Sequence, residues 1–283
     1  MKSPFLSRLT ALTVFAQHAG EALARGVARC SHLAGLQSLN LGRNRLEDDA
    51  AIHLAGSQHL TNLVELDLAE NEISEAGARA LAASLTLTNV KRLELRHNPL
   101  GPGGAEALAG SERLASLEYL GLGGSAVGVP RLHALARMTD LLRIPSLDLT
   151  GNRLGPNGLK AILHRSPNDA SPVRLRELDL SHNELGEGGA RVLAECKALK
   201  DLQVLRIAGC GITDAAAEWI ANSPLLNKLV ALDLANNPVN DPGFRNFLDL
   251  QRLRSLRRLT VPLGVSPRMQ GALQTRFPHG VVR

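Results

Sequence analysis

The sequence predicts an α/β solenoid, in which one strand-and-helix unit is repeated along the chain. The 283 residues include 54 Leu but only 5 Phe, 1 Trp and 1 Tyr, so one aliphatic residue type supplies most of the core. The pattern L-x-x-L-x-L-x-x-N-x-L recurs in fixed phase, and Ala- and Gly-rich segments separate its copies. Self-similarity at a fixed period is the signature of a solenoid, in which neighbouring repeats bury a continuous core.

Each repeat begins with a predicted short strand. The alternation of Leu with variable residues in L-x-L indicates a half-buried strand. Seven of the eight successive steps between copies, counted through Leu256, are 27 residues long. The exception is a step of 31 residues, whose loop-forming residues near 166–172 predict an insertion in a surface connection. The eight copies begin at Leu36, Leu63, Val90, Leu117, Ile144, Leu175, Leu202 and Leu229.

The second half of each repeat predicts a helix. Residues 77–82, 104–109 and 189–194 are rich in Ala and Gly, with apolar residues at i, i+3 and i+4 that face the strand. Two further positions predict buried ladders, because equivalent side chains stack from repeat to repeat. One is Leu, at 33, 60, 87, 114, 141, 199, 226 and 253, and the other is Asn, at 44, 71, 98, 152, 183 and 237. A buried Asn amide can satisfy turn backbone groups that no sheet bond reaches.

The cysteines follow the same registers. Cys210 replaces Asn in its ladder, as Ser125 does, so we interpret it as a buried structural thiol. Cys30 and Cys196 share a position with Ser57, Ser84, Ser111 and Ser223, which predicts a small residue near a helix end. An odd count of three Cys argues against a disulfide framework.

These motifs resemble the leucine-rich repeat proteins of the ribonuclease-inhibitor-like subfamily, over about residues 9 to 283. The resemblance implies a horseshoe with a parallel sheet on its concave face and helices on its convex face, acting in protein–protein interaction without catalysis. The expected organisation is one continuous solenoid domain: a degenerate capping repeat over 1–35, eight repeats over 36–255 and a capping repeat over 256–283. The segment 266–273 predicts a terminal capping helix. Leu9 to Ala16 also fits a weak secretory signal, but it keeps the phase of the repeats, which favours a cap.

No motif for catalysis, cofactor binding or metal binding is present in the sequence. It contains no His-Glu-x-x-His, Cys-x-x-Cys or Gly-x-Ser-x-Gly. The glycines of 121–126 imitate a dinucleotide fingerprint, but Leu122 within them is a core position of the repeat. We therefore predict a protein that is not an enzyme and has no cofactor.

Charged residues of the strands predict a partner-binding surface on the concave face. Five of the ten residues at the fifth repeat position are acidic, which suits a partner with a basic surface. Asp is also frequent at this position in leucine-rich repeats generally, so inheritance of the consensus is an open alternative. Two sets of pairs are expected across strands, Glu65 with Arg92, and Arg206 with Asp179 and Asp233. The predicted binding residues are Glu65, Asp67, Arg92, Glu94, Arg96, Tyr119, Asp148, Thr150, Asp179, Arg206 and Asp233.

Tyr119, the only Tyr, predicts the centre of this surface. Gly121, Gly123 and Gly124 follow it and carry no side chains, which predicts a shallow hollow beside the ring. Arg92, Glu94, Arg96 and His97 are expected on one side, and Asp148 and Thr150 on the other. Aromatic and Arg side chains are the usual hot spots of interfaces. Sequence drift at this repeat is the competing explanation.

The carboxyl-terminal segment is basic. Residues 244–283 contain eight Arg and one acid, Asp249, while the chain as a whole has a net charge of +5. The cluster Arg252, Arg254, Arg257 and Arg258 either contacts an anionic partner or is a solvated cap over the last repeat. Phe277 is the one aromatic residue that follows this cluster and could stack on a base, which argues against nucleic acid.

The remaining expectations concern context. No apolar run reaches the length of a membrane span. A monomeric, cytoplasmic protein is expected, and Arg outnumbers Lys by 26 to 6, which hints at a GC-rich bacterial genome. Two alternatives come from the resemblance: a regulator similar to Ran GTPase-activating proteins, and a secreted effector similar to those of plant pathogens, which acts on a host protein.

Overall fold

The computed structural model describes residues 4–127, 141–163, 173–278 and 280–282, without the side chains of residues 4 and 5. The chain divides into two compact units, Met1–Ile144 and Pro145–Arg283. The insertion predicted near 166–172 lies outside the described residues. Within the described ranges, no helix is both long and apolar enough to cross a bilayer.

The first unit contains five parallel strands in chain order, with a register of 27 residues, as in the pair Ser38 and Glu65. The strands are β1 (Ala11–Thr13), β2 (Ser38–Asn40), β3 (Glu65–Asp67), β4 (Arg92–Glu94) and β5 (Tyr119–Gly121). The helices are α1 (Gly20–Ala28), α2 (Asp48–Ala55), α3 (Glu75–Ala82) and α4 (Gly101–Ala109), and each contacts the next. Short 3-10 helices cover Pro4–Arg8 and Ser31–Leu33.

The second unit repeats this arrangement. Its parallel strands are β6 (Ser146–Asp148), β7 (Glu177–Asp179), β8 (Val204–Arg206), β9 (Ala231–Asp233), β10 (Arg258–Thr260) and β11 (Val281–Val282). Its helices are α5 (Pro156–Leu163), α6 (Gly186–Glu195), α7 (Asp214–Asn222), α8 (Asp241–Phe244) and α9 (Pro267–Arg276). Further 3-10 helices cover Lys197–Leu199, Pro224–Leu226 and Arg245–Leu248. The predicted terminal helix is confirmed as α9.

The two predicted ladders are confirmed as the core. All eight ladder leucines and all six ladder asparagines are buried. Nδ2 of Asn71 donates to the carbonyls of Leu41 and Leu68, and its Oδ1 accepts from the backbone N–H groups of Asn44 and Leu46. Each amide therefore joins its own turn to that of the preceding repeat. Cys210 occupies the same register, is buried, and directs its Sγ at the carbonyl of Leu180.

A third ladder lies where the helices end. In each case a Ser hydroxyl donates to a backbone carbonyl near the end of the helix in the preceding repeat. The pairs are Ser57 with Ala28, Ser84 with Ala55, Ser111 with Ala82 and Ser223 with Ala194. Sγ of Cys196 lies 3.8 Å from the carbonyl of Leu163 in the same way. The last carbonyls of a helix have no partner within the helix, so each of these side chains satisfies one of them. This contact explains why the position takes a small side chain with a donor.

The helix N-termini are linked by a different residue. Oδ1 of Asp48 accepts from the backbone N–H groups of Ser74 (2.7 Å) and Gly77 (2.8 Å) in the next repeat, and Oδ2 accepts from the Ser74 hydroxyl. Burial disfavours the charged carboxylate, but these hydrogen bonds lower the pKa of Asp48 overall. Asp48 thus stabilises the start of α3 although it belongs to α2.

Candidate functional site

The strand face is the surface formed by the third and fifth residues of each repeat, which flank the central Leu of the strand, a residue that is buried in β2 to β10. In the first unit it carries a cluster of three residues from β4 and β5: Arg92, Glu94 and Tyr119. Arg92 and Tyr119 are register partners on adjacent strands. The parallel pairing therefore brings their side chains together.

Arg92 stacks on Tyr119. The guanidinium carbon lies 3.6 Å from the centre of the ring. Arg92 is exposed and Tyr119 is half-buried. A cation at this distance is attracted by the ring, and a planar guanidinium also stacks on it. The strand face therefore carries an exposed guanidinium that packs against an aromatic ring.

Glu94 lies beneath this pair, and its predicted place on the surface is wrong. Its side chain is 4% exposed. The Tyr119 hydroxyl donates to Oε2 at 2.9 Å, the backbone N–H of Arg96 donates to Oε1 at 3.0 Å, and Nη1 of Arg96 lies 3.9 Å from Oε2. A buried carboxylate requires such partners, because an unpaired charge is costly away from water.

The predicted hollow beside Tyr119 is filled by this carboxylate. A Cβ atom added to Gly121 would lie 2.2 Å from Oε1 of Glu94. Gly121 thus removes a side chain from the strand, as predicted, but the space is taken by a neighbouring residue of β4. The glycine provides room for Glu94, and no ligand is needed to explain it.

The predicted pair of Glu65 and Arg92 does not form. Oε2 of Glu65 accepts from the Ser38 hydroxyl at 3.1 Å, and Arg92 turns to Tyr119 on its other side. The aromatic face of Tyr119 competes with the carboxylate of Glu65 for the guanidinium. Glu65 remains an exposed carboxylate on β3.

Acidic residues at the fifth position have a local role. Each accepts a hydrogen bond from the backbone N–H two residues later, which caps the turn that follows the strand. This contact explains an acid or amide at the position without a partner, so it supports the inherited-consensus interpretation. The bonds are Asn40 to Gly42, Asp67 to Ala69, Glu94 to Arg96, Asp148 to Thr150, Asp179 to Ser181 and Asp233 to Ala235, all between 2.8 and 3.0 Å.

The second unit holds the other predicted site residues: Asp148, Thr150, Asp179, Arg206 and Asp233. The predicted pairing of Arg206 with its two Asp neighbours is wrong, since Nη1 of Arg206 lies 3.9 Å from Oε2 of Glu177. The short Asp side chains are held by their turns, whereas the longer Glu177 can reach the guanidinium. No group of three or more His, Cys, Asp or Glu within the described residues is placed to hold a metal ion.

The carboxyl-terminal arginines are engaged locally. Nε of Arg252 donates to Asp249 at 3.0 Å, and Nη2 of Arg254 donates to the Gln251 side chain at 2.6 Å. The Arg276 guanidinium donates to the backbone carbonyls of Phe247 and Arg252, and burial lowers the pKa of Arg276. These contacts support the interpretation of the segment as a cap.

Sequence reasoning did not find the stacking of Arg92 on Tyr119, although the signal was present. The two residues occupy the third position of successive repeats, so they are neighbours in the predicted register. The burial of Glu94 had a signal too, since the residue opposite it is Gly121. Both follow from comparing neighbouring repeats at one position and asking which side chain has room.

Parallel strands in fixed register, a Leu core and a buried Asn ladder define a leucine-rich repeat solenoid. The family model described as "Leucine Rich repeat" matches residues 34–55, 59–82, 86–109, 146–163, 175–194 and 226–247, so leucine-rich repeats are present in this chain. Comparison with curated proteins gave no significant match.

Two solved structures illustrate the similarity in fold. A chain from the complex of Rad7 and Elc1 of yeast aligns with a TM-score of 0.58 and 16% identity, over 90% of this chain and 64% of the yeast chain. This chain therefore spans less than two thirds of that yeast chain. An internalin (inlF) from Listeria monocytogenes str. 4b F2365 aligns with a TM-score of 0.44 and 19% identity, over 95% of this chain and 85% of the internalin.

Proposed function

We propose that this protein binds a protein partner through the strand face of its first unit, centred on Arg92 and Tyr119. The observation that carries the proposal is the exposed guanidinium of Arg92, held 3.6 Å over the Tyr119 ring. Arg and Tyr are enriched among interface hot spots, and a side chain already held in one rotamer loses little entropy on binding. On the neighbouring strand β3, the acidic residues Glu65 and Asp67 lie beside this centre.

The finer family assignment is part of the proposal. The 27-residue register of β1 to β5 agrees with ribonuclease-inhibitor-like repeats, which bind proteins without catalysis. The yeast chain of the same fold comes from a complex of two proteins, and at 16% identity that likeness concerns the fold. A bacterial, cytoplasmic protein remains our expectation. The regulator and effector alternatives are decided by the partner, since a GTPase or a host protein would identify them.

The test is a pull-down with three forms of the protein. We expect at least one partner that is retained by the intact chain and lost when Arg92 and Tyr119 are both replaced by Ala. The matched control is Arg191→Ala with Trp219→Ala, because these residues form a second stacked pair, at 4.6 Å, on helices α6 and α7. That control removes the same kind of contact from the helix side of the other unit.

The outcomes separate clearly. A partner that is lost with the first double variant and retained with the second supports binding at the strand face. Identical partner sets for all three forms would overturn the proposal. Melting temperatures of both variants well above the temperature of the pull-down, measured beforehand, exclude unfolding as the cause of a loss.

A further inference from the structure

We propose that the strand face of the first unit recognises an acidic segment of its protein partner, with Arg92 binding the carboxylates. This inference rests on the proposed function and adds the chemistry of the partner. It also reverses the sign expected from the acidic stripe, which favours a basic partner. Charges that are buried or paired within the protein contribute little to the recognition of a partner, so the exposed charges around Tyr119 set the sign of the partner's charge.

The acidic groups nearest to Tyr119 are used internally. Glu94 is 4% exposed and both of its oxygens accept hydrogen bonds, so its charge is withdrawn from the surface. Glu118 is paired with Lys91 at 2.8 Å. On β3, Asp67 accepts from its own turn and from Nδ2 of Asn40. Glu65 accepts from the Ser38 hydroxyl and stays exposed, on the side of Arg92 away from Tyr119.

The basic groups at the same place are not neutralised to the same extent. Among the described residues, no carboxylate lies within 4.0 Å of the Arg92 guanidinium. Arg96 is 47% exposed in its side chain, and its nearest carboxylate oxygen is the buried one of Glu94, at 3.9 Å. One exposed guanidinium, that of Arg92, therefore lies over the ring, and a second, that of Arg96, lies near the buried carboxylate to which the ring's hydroxyl donates. Charge complementarity favours an anionic group on the partner.

Arg92 is built to bind a carboxylate rather than merely to be charged. Stacking on Tyr119 uses the flat face of the guanidinium and leaves its N–H donors, which lie in the plane, for another acceptor. The fork of donors matches a carboxylate in a bidentate pair. The Tyr119 ring is itself fixed by its hydrogen bond to Glu94, which Gly121 makes room for. Glu94 is thus a positioning residue for Arg92, acting through Tyr119.

The experiment uses a defined probe. Binding of a fluorescein-labelled decaglutamate peptide to the full chain is measured by fluorescence anisotropy at low ionic strength, because salt screens exposed charges. We expect Arg92→Ala to weaken binding about tenfold, which corresponds to about 1.4 kcal/mol. Arg92→Lys keeps the charge but loses the planar fork, so we expect a loss of several-fold. The control is Arg79→Ala, which removes another exposed positive charge, that of an Arg paired with Glu75 on helix α3, and is expected to leave binding unchanged.

Four results would overturn the inference. One is an equal loss with Arg79→Ala and Arg92→Ala, which indicates net charge alone. Another is tighter binding of a decalysine peptide than of decaglutamate. The third is displacement of decaglutamate by inorganic phosphate or by an oligothymidine at a lower concentration than by glutamate, which indicates a phosphate site. The fourth combines two observations: decaglutamate fails to bind, and a partner that depends on the strand face in the pull-down still binds the Arg92→Ala variant. This result leaves the proposed function standing and rejects the inference alone.

Discussion

The hydroxyl of Tyr119 donates a hydrogen bond to Oε2 of Glu94 at 2.9 Å, so the one tyrosine of the chain is joined to a buried carboxylate on the neighbouring strand. The residue with the features of an interface hot spot is therefore also a structural partner. Variants of Tyr119 report on both roles, which need to be separated by experiment.

Replacement of Tyr119 by Phe tests the structural role. The ring remains under Arg92, but Glu94 loses one of its donors, and a hydrogen bond to a charged group contributes about 1.5 to 3 kcal/mol. We expect the free energy of unfolding, measured by urea denaturation, to fall by about this amount, and the midpoint to fall with it, while the partner still binds. A midpoint equal to that of the unchanged protein would show that water replaces the hydroxyl.

Gly121→Ala is expected to destabilise the protein and to displace Glu94. The added Cβ would lie 2.2 Å from a carboxylate oxygen, so the carboxylate has to leave Tyr119 or the strand has to shift. The matched control is Gly26→Ala in α1, where an added Cβ meets nothing within 4 Å. In a helix that change stabilises by about 0.5 to 1 kcal/mol. Opposite shifts of the two variants in thermal unfolding are the expected result, and a stabilising effect of Gly121→Ala would contradict it.

Asp48 is expected to contribute stability that disappears in acid. Its hydrogen bonds hold the pKa of the folded carboxyl below the unfolded value, which is about 3.9. The contribution is therefore complete above about pH 5 and is lost as the pH falls through the unfolded value towards the folded one. Unfolding midpoints of the intact protein and of Asp48→Asn should differ at pH 7, and the difference should shrink as the pH falls below the unfolded value.

The exposed neighbour Asp49 supplies the control for this experiment. Asp49→Asn removes the same charge from the first turn of α2, without the bonds to the next repeat. A convergence on acidification that is as large for Asp49→Asn as for Asp48→Asn would assign the effect to net charge and not to the inter-repeat cap.

The serine ladder predicts a chemical preference at one position. Ser84→Ala removes the hydrogen bond to the backbone carbonyl of Ala55, the last residue of α2. We expect this to lower the free energy of unfolding by about 1 kcal/mol. Ser84→Cys should cost less, because Cys196 already makes this contact in its own repeat. Urea unfolding of both variants provides the comparison. An equal loss for Ala and Cys would mean that the thiol does not replace the hydroxyl as a donor at this position.

Cys210 is expected to resist alkylation in the folded protein. Burial raises the pKa of its thiol to about 11, and the thiolate is the reactive form. With iodoacetamide at pH 7.5, mass spectrometry should find Cys210 unmodified in the native protein and modified in urea. The half-buried Cys196 should react earlier during unfolding. Equal rates at Cys210 in the two conditions would contradict its structural role.

The strand register was open to prediction because the repeat imposes it. A unit that cannot bury its apolar face alone has to stack on an equivalent unit, and equivalent positions then meet. Leu66 therefore pairs with Leu93, and Asn71 bonds into the preceding repeat, as the alignment of repeats predicts. The same logic placed Cys210 and Ser84 correctly, since their registers describe their surroundings.

The pairings of charged side chains were not open to prediction in this way. Register states which residues are neighbours, but each long side chain has several neighbours and selects the one with the best partner and the most room. Arg92 stacks on the Tyr119 ring and does not pair with Glu65. Arg206 lies near Glu177, and the two neighbouring aspartates bond to their own turns.

The sequence by itself thus determined the repeat, the parallel register and the composition of the core, because these follow from periodicity and from the burial of apolar surface. Only the tertiary structure decided the character of the strand face. It buried Glu94 beneath Tyr119, gave the fifth-position acids a role in their own turns, and left the Arg92 guanidinium exposed over the ring, with that of Arg96 exposed near the buried carboxylate. The physical reason is that a charged side chain can interact with a partner only if it is exposed and unpaired, and the three-dimensional structure determines both its exposure and its hydrogen bonds.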